Sequence, residues 1–219
     1  MTRPVRLVTG YVPLYGHPRN GLYEALGERL KHCWPADQTD VYRTPLRDLW
    51  AYPIARACEP YTADNPAKNT RGYHAVQLQK TQWLEWSARA HPDAVLCWVD
   101  FGVLHLPDVT VADVAGALLR AGSCASVTMP GCWPPGPVRM DRPCWRFCGG
   151  FVVCPAWLAA PLHAAVQDQV MLHAIKAQRI SWEVNYWALT EEHSPVSWEW
   201  YQSDHNASML RNLKTGAKR

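Results

Sequence analysis

The sequence predicts an α/β layered domain, and three observations carry that prediction. Strand-like segments alternate with segments of helical spacing along the whole chain, the pattern of helices laid on a sheet. The run 94–99 (Ala-Val-Leu-Cys-Trp-Val) is apolar throughout, as a strand buried on both faces must be. It stops at Asp100, and an unpaired carboxylate is too costly to bury, so Asp100 belongs where the strand emerges from the sheet. Open α/β sheets take their ligands at that carboxyl edge. Asp100 is therefore either a metal or substrate ligand or a well-satisfied turn aspartate.

The elements follow in order. Residues 5–9 form a short strand that breaks at Gly10, and a loop with Pro13, Gly16 and Pro18 follows. Residues 22–31 have helical spacing, with Leu22, Leu26 and Leu30 on one face. Residues 39–43 are a second strand. Residues 44–72, rich in Pro, Tyr, Asn and Arg and without periodicity, read as a functional or covering loop. Residues 73–90 turn helical through Val76, Leu78, Trp83, Leu84 and Trp86, and lead into the strand that ends at Asp100. A helix is expected over 110–121, with Asp113 in its first turn. Residues 125–129 read as a strand and 130–143 as a turn-rich insert. Residues 147–154 read as a strand interrupted by Gly149 and Gly150, a pair that marks a bulge or a close backbone approach by a ligand. A long helix over 156–176 contains Pro161. Residues 182–189 are a short helix or an extended segment, and 196–201 a last aromatic strand.

At 219 residues a single domain is expected, over 1–210, with 211–219 as a basic tail of four cations and no acid. Hydrophobic residues at 48% supply the core. Twelve Trp against three Phe favour a cleft that is apolar at one end and polar at the other. The net charge of +3 permits a phosphorylated ligand or nucleic acid without requiring either. No stretch reaches the ~18 apolar residues of a membrane span, and the first residues lack a signal peptide's apolar core. A cytoplasmic location is expected, with the eight cysteines as thiols. Cys132, Cys144, Cys148 and Cys154 lie close in sequence. The Cys144–Cys148 spacing falls in the range for zinc, but no second close pair accompanies it, so most read as buried small apolar residues.

Polar groups break the apolar pattern at Thr9-Gly10-Tyr11, Asp100 to His105, Cys148-Gly149-Gly150, Glu183 with Asn185, and Ser203-Asp204-His205-Asn206. Taken singly they have plain readings. Glu183 can be a salt-bridged core-edge residue, His205 a surface histidine bonded to Asp204, and Arg71 and Lys80 solvent-facing charges.

Their order, together with Val95-Leu-Cys-Trp-Val-Asp-Phe-Gly-Val-Leu-His105, Val8-Thr-Gly-Tyr11, Lys80-Thr-Gln-Trp-Leu84, Phe147-Cys-Gly-Gly-Phe151 and Trp182-Glu183, resembles the HtrL/YibB-type glycosyltransferase-like family. The resemblance implies a GT-A-type, Rossmann-like nucleotide-binding mixed sheet flanked by helices. It implies transfer of a sugar from a nucleoside-diphosphate sugar, UDP-sugar favoured, to an acceptor hydroxyl with Mn²⁺ or Mg²⁺. Asp100 would hold the metal and act in catalysis, with His205 as the later ligand and Asp204 as its substitute. Thr9, Gly10 and Tyr11 would take the nucleoside, Tyr11 by stacking. Arg71 and Lys80 would meet the phosphates, and Gly149 and Gly150 the transferred sugar. Glu183 would be the general base or, with retained configuration, would orient the acceptor. One departure stands out: GT-A enzymes usually carry Asp-x-Asp here, and the second acid is replaced by Gly102.

For the acceptor, Arg43, Arg47, Arg56, Lys68, Arg71, Arg139, Arg142 and Arg146 alternate with Trp50, Tyr52, Tyr61, Trp133 and Trp145. Such a surface suits a saccharide or nucleic acid, and a DNA glycosyltransferase acting on a hydroxymethylated base is one alternative. A non-catalytic nucleotide-sugar-binding module is another.

Overall fold

The structure, a computed structural model, describes residues 3–14 and 20–214. In chain order the elements are β1 (Val5–Tyr11), α1 (Asn20–Lys31), β2 (Thr39–Arg43), α2 (Tyr52–Ala57), β3 (Glu59–Pro60), α3 (Arg71–Leu78), α4 (Lys80–Ala90) and β4 (Val95–Val99). They continue as α5 (Val111–Ala121), β5 (Val127–Gly131), β6 (Phe151–Pro155), α6 (Ala156–Ala177), β7 (Arg179–Ile180), α7 (Glu183–His193), β8 (Trp198–Gln202) and α8 (Ser208–Arg211).

Six strands make one mixed sheet in the order β2-β1-β4-β6-β5-β8, and β3 pairs with β7 apart from it. Strand β1 is parallel to β2 and β4, and β8 is parallel to β5. Only β6 is reversed within that sheet, running against β4 and β5. One edge of the sheet thus collects the carboxyl ends of β1, β2, β4, β5 and β8 and the amino end of β6. The expected α/β mixed sheet flanked by helices is what the chain forms.

Every residue of β4 is buried, because the alternation of side chains fills both faces. Leu96 and Trp98 join a core with Trp83, Leu84, Leu162, Val166 and Trp187. Val95, Cys97 and Val99 join the opposite core with Leu26, Leu30, Val114, Leu118 and Leu210. The capping box at the start of α5 is Thr110 with Asp113, as its first-turn acid suggested.

Several boundaries differ from the sequence expectation, and β1 does not break at Gly10 but continues through it to Tyr11. The helical stretch 73–90 is two helices meeting at Gln79, whose side-chain carbonyl accepts the Trp50 backbone N–H at 3.2 Å. The loop 44–72 holds α2 and two 3₁₀ turns, Leu46–Asp48 and Pro66–Lys68, and buries Leu49, Ala51, Ala55 and Cys58. Its segments are too short for periodicity to show, but it does cover the core. Finally, 147–150 are not strand: β6 begins at Phe151, after the two glycines.

Of the expected basic tail, Arg211 forms a bidentate pair with Asp113 at 2.6 and 3.1 Å, and Leu213 is buried. Residues 215–219 lie outside the described residues. No helix among the described residues is long and apolar enough to cross a membrane.

Candidate active site

The carboxyl edge brings Asp100, Lys80, Glu183, Gly149 and Gly150 into one place. Asp100 follows β4 directly, and its N–H donates to the Gly150 carbonyl at 3.0 Å, which continues the β4–β6 pairing by one residue. Lys80 opens α4 and is only 2% exposed. Its ammonium lies 3.0 Å from Asp100 Oδ1 and 3.0 Å from Glu183 Oε1, and donates to the Gly149 carbonyl at 2.9 Å. A lysine has three N–H donors, and all three have partners here.

Burial works against the Lys80 charge, but the carboxylates of Asp100 and then Glu183 outweigh it, and the pKa rises above the ordinary 10.5. Lys80 is therefore protonated at neutral pH. Its ammonium offsets one of two carboxylates and leaves the other charge uncompensated. Trp98 lies two residues before Asp100 in an extended chain, hence on the same side, and its indole donates to Asp100 Oδ1 at 2.8 Å. The described residues thus engage Oδ1 and leave Oδ2, on a side chain that is 34% exposed.

Glu183 is the first residue of α7, where the helix dipole favours a negative charge. It is buried, and the described residues engage only Oε1. A Cβ on Gly149 would fall 2.3 Å from that oxygen and 3.3 Å from Lys80 Nζ, so no larger residue fits beside the pair. Tyr73 on α3 also belongs to this neighbourhood. Its pKa is raised, first by burial and then by Glu183 and Asp100.

The remaining expected residues lie as follows. Thr9 is buried and its hydroxyl donates to the Val99 carbonyl at 2.7 Å, across from β1 to β4. Gly10 sits under Trp83, whose ring a Cβ would approach to 2.6 Å, and Trp83 stacks in turn on Trp98. Tyr11 is stacked on Phe101 with centroids 5.0 Å apart, and its hydroxyl lies 3.1 Å from Asn20 Oδ1. Arg71 pairs with Glu59 and donates to the Cys58 carbonyl, outside the Lys80 cluster. Gly102 has its own packing reason, since a Cβ there would come within 2.5 Å of the Tyr23 ring. An aspartate in that conformation has no room.

His205 follows β8 at the same edge, but its neighbours are Trp145, edge-on at 4.4 Å, and Cys132, whose Sγ is 3.7 Å from Nδ1. Burial lowers its pKa, with Asp204 opposing, so the ring is neutral at neutral pH. Among the described residues, the group of three potential metal ligands drawn together is Cys132, Cys148 and His205, and Asp100 is not in it. A cleft of ≈ 610 Å³ opens on this side, with Cys132, Trp133, Trp145, Asp204 and His205 in its wall. Lys80, Asp100 and Glu183 do not line it.

No known sequence family and no curated protein matches the chain. Among solved structures, the apo crystal structure of mouse xyloside xylosyltransferase 1 is similar at 10% identity, over 90% of this chain and 85% of that one, with a TM-score of 0.48.

Several site features escaped the sequence. Trp98 enters the sequence reading only as part of an apolar run, and Tyr73 only as the first residue of a helical segment. Trp187, whose ring centroid is 5.8 Å from Lys80 Nζ, carries no local signal of its place beside the lysine. Arg146 was placed on an acceptor surface, whereas it is buried and bidentate to Glu191 at 2.8 and 2.6 Å.

Proposed function

We propose that the chain is a glycosyltransferase that moves a sugar from a nucleoside-diphosphate sugar, UDP-sugar favoured, to an acceptor hydroxyl. The observation that carries this reading is the Lys80–Asp100–Glu183 cluster at the carboxyl edge of the sheet. Two carboxylates are held there by one buried ammonium, with one carboxylate charge left over. That excess suits a cation carrying an anionic diphosphate.

The donor set fits Mn²⁺ or Mg²⁺, hard ions that bind through one or two carboxylates and lean on substrate phosphates. Asp100 Oδ2 is the oxygen that would hold such an ion, which when bound would supply charge stabilisation for the departing diphosphate. Lys80 fixes Asp100 from behind and sets its orientation. Trp98 does the same from its own strand.

Glu183 is the carboxylate assigned to the acceptor. Its Oε2, the oxygen not engaged by Lys80, takes the proton from the attacking hydroxyl. Tyr11, stacked on Phe101 and buried with it, stands at the end of β1, where the base of the donor would come. Gly149 and Gly150 keep side chains away from the carboxylates, where the transferred sugar would sit.

The arrangement of cations favours a saccharide or small hydroxylated acceptor over nucleic acid. Of the eight cations expected to read the acceptor, Arg43, Arg47, Arg71, Arg139 and Arg146 are each paired with a carboxylate, on Glu28, Asp48, Glu59, Asp141 and Glu191, which leaves Arg56, Lys68 and Arg142 without an ion pair among the described residues. A phosphate-tracking surface gains its affinity from cations that neutralise phosphates, and here most of the candidates already face a carboxylate. The test is release of nucleoside diphosphate from a panel of sugar nucleotides with Mn²⁺ or Mg²⁺, with and without saccharide acceptors. Turnover that appears only with hydroxymethylated duplex DNA would move the acceptor to nucleic acid. A donor that shifts the melting temperature without ever turning over would make the chain a binding module.

A further inference from the structure

We propose that Cys132, Cys148 and His205 form a Zn²⁺ site at the carboxyl edge, separate from Asp100 and open to the cleft at its fourth position. The topology brings the three together. Cys132 follows β5, Cys148 precedes the glycine pair before β6, and His205 follows β8, so three neighbouring strands deliver one ligand each. Backbone bonds fix the three segments. The Cys148 N–H donates to the Pro130 carbonyl at 2.8 Å, and the Ser203 N–H to the Gly131 carbonyl at 2.9 Å.

The distances are those of a tetrahedral edge. Two sulfurs at about 2.3 Å from a tetrahedral zinc lie about 3.8 Å apart, and a sulfur and an imidazole nitrogen about 3.6 Å. Here Cys132 Sγ is 3.5 Å from Cys148 Sγ and 3.7 Å from His205 Nδ1. All three ligand atoms lie within 4.8 Å of one another. A disulfide needs about 2.05 Å, and all eight cysteines are free thiols.

The chemistry of the set selects the ion. Two thiolates and an imidazole are soft and borderline ligands that favour zinc over Mg²⁺ or Mn²⁺. On binding, each thiol releases its proton to solvent, and the neutral imidazole gives the Nδ1 lone pair, with no change of oxidation state. The Trp145 edge contact fixes the imidazole plane. Asp204 Oδ1, 3.8 Å from Cys132 Sγ and 3.7 Å from His205 Nδ1, borders the fourth position on the cleft side. That position is left to the Asp204 carboxylate or to a water that it would hold by a hydrogen bond. Zinc there would tie the 130–148 insert to the segment after β8. Through Cys148 it would also steady Gly149, whose carbonyl accepts from Lys80.

The test uses the full chain, purified under reducing conditions and freed of loose metal by gel filtration. Metal analysis should find one zinc per chain, and protein stripped by chelator should bind Co²⁺ with the intense visible bands and near-ultraviolet sulfur-to-cobalt band of a tetrahedral thiolate site. Cys132→Ser and His205→Gln should lose stoichiometric zinc, while Cys33→Ser keeps it. Absence of zinc together with cobalt binding that lacks the sulfur band would overturn the proposal without relying on any variant. Full zinc retention in Cys132→Ser, or a Cys132–Cys148 disulfide in the reduced preparation, would do the same.

Discussion

On the β4 side of the sheet's carboxyl edge, the Lys80 ammonium meets two carboxylates, Asp100 and Glu183. On the β5–β8 side, Cys132, Cys148 and His205 meet as two thiols and a neutral imidazole. The two clusters share an edge and are joined through the adjacent residues Cys148 and Gly149. They differ in what they lack. The first has an unspent carboxylate charge, which the proposed function assigns to a hard cation carrying phosphate. The second has lone pairs without charge, which call for a soft ion. One sheet edge thus carries two chemically different donor sets because its strands end on different side chains.

The comparison breaks most visibly at Lys80. Replacing it by Met leaves two carboxylates facing each other with Glu183 buried, and breaking a buried pair of this kind costs about 3–5 kcal/mol. Asp100 is one-third exposed, so urea unfolding should show a loss near the lower end. Zinc content should be unchanged if the clusters are independent. Glu183→Gln keeps the shape and removes the base, so turnover should fall by about 10²–10⁴ while donor affinity, read by titration, moves little. An unchanged rate would reduce Glu183 to a structural partner of Lys80.

Gly149→Ala probes the boundary between the clusters. The added methyl meets Glu183 Oε1 at 2.3 Å, an overpacking that should cost about 1–3 kcal/mol and displace the carboxylate. The pH response sharpens the contrast further. Lys80 gains partners on folding and its pKa is raised, so its stabilisation is complete below the unfolded value of 10.5 and is lost as pH rises through the higher folded value. Urea midpoints taken between about pH 8 and 12 should fall in both chains, because burial also raises the pKa of thiols such as Cys33 and Cys124 and of Tyr42, and should fall less steeply in Lys80→Met. The smallest effect belongs to Arg71. Its pair with Glu59 is 44% and 70% exposed, and Arg71→Ala should cost less than about 1 kcal/mol in urea unfolding.

What could be read without a structure follows the range of each signal. Strand β4 and the position of Asp100 were legible because a run buried on both faces and a terminal carboxylate are local facts. The helix of Leu26 and Leu30 and the helix with Asp113 in its first turn were legible for the same reason. Short elements within 44–72 were not, since no period fits inside them. Lys80 was singled out as a charge for phosphates, yet a helical lysine gives no local sign that it is 2% exposed and held by residues 20 and 103 positions away. The missing acid at Gly102 was visible as a departure, but its cause, the Tyr23 ring, was not. The thiol–imidazole group was hidden most deeply. Cys132 and His205 are 73 residues apart, and spacing rules inspect only near pairs, which pointed to Cys144 instead.

The central claim is that the Lys80-held carboxylates serve sugar transfer. It is tested most directly by nucleoside diphosphate release from UDP-sugars with Mn²⁺, comparing the native chain with Asp100→Asn at matched melting temperature. The account predicts release by the native chain and its loss in the variant. Equal release by both, or no release and no stabilisation by any sugar nucleotide, would contradict it.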